Sequence, residues 1–154
     1  MTVILHSKLL ISTYLLKLGY NPAAGPVRTA GVPFPPLAMS ITLNKAAVDF
    51  AKELIKNGKI KNDEGHWGQH NPGSTEENDF LKKHEIDEYA QWHLGEDKSQ
   101  GEDTKGRYKF PYGDFKTVHR DGLIAAKERA AQQGYHDIEK AADELLGALE
   151  KQAG

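Results

Sequence analysis

Asp137-Ile138-Glu139-Lys140-Ala141-Ala142-Asp143-Glu144-Leu145-Leu146-Gly147-Ala148-Leu149 is the stretch whose pattern decides the fold reading. Its apolar positions Ile138, Ala141, Ala142, Leu145, Leu146 and Leu149 fall at offsets 0, 3, 4, 7, 8 and 11, which is one stripe of an α-helix. Just upstream, Arg120 to Gln133 carries Leu123, Ile124, Ala130 and Ala131 on a second stripe, and Gly134 closes it. So short a connection predicts an antiparallel helical hairpin, its alanines allowing close approach.

Working back along the chain, Asn44 is a good N-cap for a helix whose face holds Ala46, Ala47, Phe50, Ala51, Leu54 and Ile55. Asn57-Gly58 stops it, and residues 58–73 read as a polar loop broken by glycines and Asn71-Pro72-Gly73. Ser74 and Glu77 form a capping box for a helix through about Lys83. A short helix from Asp87 to His93 is expected to bury Tyr89 and Trp92 and end at Leu94-Gly95. Residues 95–107 follow as a charged loop. Tyr108 to Phe115 alternates aromatic and polar residues, but Pro111 and Gly113 argue against a long central strand, so an extended arm is expected. The predicted fold class is mainly α: a small domain of about five helices, an aromatic arm and the C-terminal hairpin.

The 154 residues amount to about one domain, with 20 Lys+Arg against 22 Asp+Glu and no cysteine. Absence of cysteine excludes a disulfide scaffold, thiolate zinc sites, thiol catalysis and iron–sulfur chemistry. Near-neutral charge argues against a surface that grips nucleic acid or acidic membrane throughout. The neutrality is uneven, however. Residues 1–38 carry only Lys8, Lys17 and Arg28, a net +3, and five of the seven prolines, so residues 39–154 carry −5. The apolar run Val3 to Leu18 is interrupted by His6, Lys8 and Lys17 and is too short for a membrane span. It also lacks the charged start of a secretory signal. Residues 1–38 therefore read as an apolar, then proline-rich leader. Met39 is the expected native start of a single helical, soluble, cytoplasmic domain over 39–154.

Seven histidines invite a search for metal ligands. His66 and His70 are four apart, but the glycines around them make a helix that would pair them unexpected. A site drawn from His66, His70, His84 or His93 has no ordered spacing and no cysteine behind it, so no metal or other cofactor is expected. His119-Arg120-Asp121 copies a kinase catalytic-loop tripeptide, yet Ala126 stands where the magnesium-binding Asn belongs. No P-loop, Gly-x-Ser-x-Gly or Gly-x-Gly-x-x-Gly is present, and no catalytic residue is assigned.

The richest stretch is 105–120, with five cations against Asp114 alone and four aromatic rings between them. Cations neutralise phosphates and rings stack on bases, so Lys105, Arg107, Tyr108, Lys109, Tyr112, Lys116, His119 and Arg120 are the candidate binding residues. The competing role is packing, with the rings as anchors for the hairpin.

Trp92-His93-Leu94-Gly95, Glu102-Asp103-Thr104-Lys105, Tyr108 to Phe115, Val118-His119-Arg120 and Ala125-Ala126 through Arg129-Ala130 together resemble a family of small uncharacterised bacterial and phage-associated proteins. The likeness spans about residues 40–150 and implies a domain boundary near Met39, with no activity to transfer. The expected function is thus a non-enzymatic binding or interaction module using arm 105–120, with a protein partner or self-association. The alternatives are a nucleic-acid or phosphate-ligand binder, or a small His/carboxylate enzyme or metal protein using His93, His119 or the 63–88 acid/His cluster.

Overall fold

The computed structural model describes residues 41–154; the leader and the expected start at Met39 lie outside the described residues. The elements in order are β1 (Ile41–Leu43), α1 (Lys45–Lys56), β2 (Ile60–Lys61), α2 (Trp67–His70), α3 (Ser74–Leu81), α4 (Ile86–Ala90) and β3 (His93–Asp97). A 3₁₀ turn (Lys105–Arg107), β4 (Tyr108–Pro111), β5 (Val118–His119), α5 (Arg120–Gln133) and α6 (His136–Ala153) follow. Strands β1, β3 and β4 form an antiparallel sheet in that order, while β2 and β5 pair in parallel.

The expectation of a mainly helical domain is therefore corrected: the fold is mixed α/β, with about 56% helix and 15% strand among the described residues. The correction falls on two segments. His93–Asp97, expected to end a short helix at Leu94-Gly95 and open a charged loop, is the central strand of the sheet, pairing with Ile41–Leu43 on one side and Tyr108–Pro111 on the other. The expected arm supplies the outer strand β4. Both strands are short, and β1, the other partner of β3, lies more than fifty residues away in sequence. Gly95, which locally resembles a helix stop, sits where a Cβ would come within 2.6 Å of the Phe110 ring. It is a close-packing glycine in a buried strand.

Helical elements follow their local signals closely. Asn44 caps α1 by accepting from the Ala47 amide at 3.3 Å. Its side-chain amide also donates to the Ala90 carbonyl at 3.0 Å and the His93 carbonyl at 3.2 Å, tying α1 to the entry of β3. Asn44→Ala removes the cap and both cross-links, and is expected to cost about 2 kcal/mol in urea denaturation. At α3 the cap shifts by one residue and is one-sided: Gly73 is the N-cap, with no side chain to give, and Glu76, rather than Glu77, accepts from its amide. Helix α5 ends at left-handed Gly134 (φ 79°). Helix α6 buries Ile138, Ala141, Ala142, Leu145, Leu146 and Leu149.

One core joins these layers: the inner faces of α1, α5 and α6 pack with Trp92, Leu94, Phe110 and Tyr112 from the sheet and the turn beyond it. Among the described residues no helix is long and apolar enough to cross a membrane.

Candidate functional site

Two places gather chemistry-bearing side chains. One is a cleft of roughly 760 Å³ bordered by β4 and the outer face of α5. Lys105, Tyr108 and Lys109 line it from the β4 side and Ala125, Arg129 and Gln133 from α5, and the carboxylates of Glu77 and Glu128 are in the lining too. Three of the eight residues expected to bind therefore line it.

Local bonding explains where those eight go. Lys105 reaches Glu77 at 3.2 Å and Asn78 at 2.8 Å. Arg107 holds Glu96 at 2.7 Å and donates to the Gln100 carbonyl at 2.9 Å. Tyr108 is buried, its hydroxyl donating to the Glu102 carbonyl at 3.0 Å. Tyr112 is fully buried and donates to the Gln91 carbonyl at 2.6 Å, so its ring belongs to the core. Lys116 is exposed on the turn that follows Asp114. Arg120 stands 3.6 Å from Glu150. Lys109 is half-buried in β4, and neither it nor Arg129 makes an ion pair among the described residues.

The last of the eight, His119, belongs to the second place. The parallel pairing of β2 with β5 puts Lys61 beside His119, and the chain leaving β2 then delivers Asp63 to the same ring. Asp63 Oδ2 lies 2.6 Å from His119 Nδ1. It also lies 3.1 Å from His70 Nδ1, which the single turn α2 brings back over the site. On the far side of the ring, His119 Nε2 is 3.0 Å from Asp114 Oδ2. The separation suits a hydrogen bond but the direction does not, and Nε2 is left without a hydrogen-bond partner. His119 is only 1% exposed, whereas the His70 side chain is 44% exposed.

The carboxylates are firmly placed. Asp114 accepts from the Thr117 amide at 2.7 Å, the Lys116 amide at 3.0 Å and the Thr117 hydroxyl at 3.0 Å. Burial pushes its carboxyl up, but His119 and these donors outweigh burial and hold it well below the usual carboxylate range. Burial acts on Asp63 likewise, and the His119 ring and the Asp121 amide reverse it, leaving that carboxyl lowered. Trp67 lies against the His119 ring at 5.4 Å between centroids. Phe115, next to Asp114, takes a left-handed backbone (φ 66°) uncommon for a bulky residue and stacks on Phe80 at 4.4 Å.

His66 and His70 do not converge as a pair. His66 precedes α2, and its amide donates to Asp121 at 2.9 Å, which ties the 63–70 segment to the start of α5. His84 pairs with Glu88 on the surface, and His93 is buried in β3. Nothing local marks Asp63, because the 56-residue separation between it and His119 has no local signature, whereas Asp114 stands in the sequence only as the lone acid of 105–120. No protein-family model matches the chain, and no curated protein and no solved structure matches it.

Proposed function

We propose that the protein is a non-enzymatic binding module whose β4–α5 cleft holds an acidic polypeptide segment of a partner protein. The observation that carries this is the placement of Lys109 and Arg129 around one cleft, neither engaged in an ion pair among the described residues. Carboxylates of an incoming segment would find cations there without first breaking an internal pair. Burial of Phe110 and Tyr112 favours a peptide over single-stranded nucleic acid, because rings 6% and 0% exposed offer little surface on which a base could stack.

The test is a fluorescence-anisotropy titration with a labelled oligo-glutamate peptide, run beside a labelled single-stranded oligonucleotide. Lys109→Glu with Arg129→Glu is expected to weaken peptide binding by about tenfold or more, as reversing two complementary charges should. Unchanged affinity in the double variant, or tighter binding of the oligonucleotide than of the peptide, would overturn the reading.

A further inference from the structure

We propose that Asp63, His70 and His119 form a binding site for one divalent transition-metal ion of the zinc class. This site is separate from the β4–α5 cleft and does not depend on it. Each of the three residues offers one ligand atom, and those atoms lie within 4.8 Å of one another. Two imidazoles and a carboxylate are borderline donors of the kind zinc and its neighbours prefer, whereas calcium and magnesium require mostly oxygen.

Asp63 Oδ2 is the hub, 2.6 Å from His119 Nδ1 and 3.1 Å from His70 Nδ1. In the metal-free protein a proton must bridge the carboxylate to each ring. A cation would take the carboxylate oxygen and the Nδ1 lone pair of each ring in place of those hydrogen bonds; a neutral ring then carries its proton on Nε2, and a protonated ring releases its Nδ1 proton to solvent. Ligand atoms about 2 Å from a tetrahedral centre stand about 3.3 Å apart, so only small movements are needed.

The surroundings of His119 are an independent observation. A ligating histidine normally donates its other ring N–H to a carboxylate, which fixes the ring's orientation. His119 Nε2 is buried, without a hydrogen bond, and 3.0 Å from Asp114 Oδ2. A slight rotation of the ring toward the cation would align it. Asp114 is already held by three donors from Lys116 and Thr117, so the supporting carboxylate is in place. On the open side, His70 lines a second cleft of roughly 390 Å³ that it shares with Asp114 and Lys116. That cleft gives solvent a route to a fourth coordination position. Bound metal would thus clasp the Asp63–His70 segment to β5 while keeping one position for water or a ligand.

The experiment is calorimetric titration of zinc chloride into the full chain after treatment with EDTA, with cobalt(II) absorption reporting coordination geometry. About one equivalent of zinc and tetrahedral cobalt bands are expected. His70 is exposed, so His70→Ala should keep the wild-type circular dichroism and yet lose about tenfold or more in affinity. His136→Ala, which alters another exposed histidine that lines neither cleft, should bind as wild type does. The proposal is overturned if wild type binds no zinc at micromolar concentration, or if His70→Ala binds as tightly as wild type.

Discussion

Trp92→Ala is expected to lower the stability of the folded chain by about 3–5 kcal/mol, read as a large fall in the urea midpoint. Trp92 is 4% exposed and sits where three parts of the core meet. Its ring meets Phe50 of α1 edge-on at 5.3 Å, lies 5.8 Å from Tyr112, and meets Phe115 edge-on at 6.0 Å. Gly113 lies so close beneath it that a Cβ there would stand 2.6 Å from the indole, so the ring packs directly against backbone. The unfilled cavity adds to the lost transfer energy. A midpoint no lower than that of the wild type would show that this ring is not a core anchor.

The second large effect is acid destabilisation through His93. Its Nδ1 donates to the Tyr89 carbonyl at 2.9 Å, a bond that the neutral ring makes with that nitrogen protonated. Tyr89 covers the ring at 4.4 Å, Tyr108 lies 6.3 Å away, and Lys109 stands nearby. Burial lowers the imidazole, Lys109 adds to that, and only the Tyr89 carbonyl opposes it, bringing His93 down to about 4. The unfolded chain takes up its proton near 6.5, so between about pH 6.5 and 4 it binds more protons than the folded one. Stability from this group is complete above that window and is lost as pH falls through it, amounting to about 3 kcal/mol in all. Below it, Asp63 and Asp114 continue the loss, because their folded carboxyls titrate lower than their unfolded ones. Urea denaturation across this range should show a steep slope in wild type and a shallower one in His93→Gln. Equal slopes in the two proteins would contradict the assignment.

How much of this was legible in the sequence depends on how far apart the causes lie. Helix α5 over Arg120–Gln133 and the buried stripe of α6 are written within a few turns of chain, and the Asn44 cap within three residues. Strand β3 is different. Its five residues, His93 to Asp97, have no alternating pattern because the strand is central and buried along most of its length. Its identity comes from Ile41–Leu43 and Tyr108–Pro111, so the Leu94-Gly95 pair that locally resembles a helix stop marks instead the approach of Phe110. The site divides in the same manner. His119 was visible as a residue, and the acid/His run 63–88 as a region. That Asp63 and His70 in particular meet His119 follows from a two-residue parallel ladder with no sequence signature of its own.

That ladder also sets an order of events. Parallel pairing of Ile60–Lys61 with Val118–His119 closes a loop of more than fifty residues, and two residue pairs repay little of the closure entropy by themselves. The helices and the antiparallel sheet must already hold β5 in place before β2 can dock beside it. The Asp63–His70–His119 cluster should therefore be among the last features to assemble during folding. It should also be among the first to open in the folded protein, with the amides of residues 60–70 exchanging hydrogen well before those of α6.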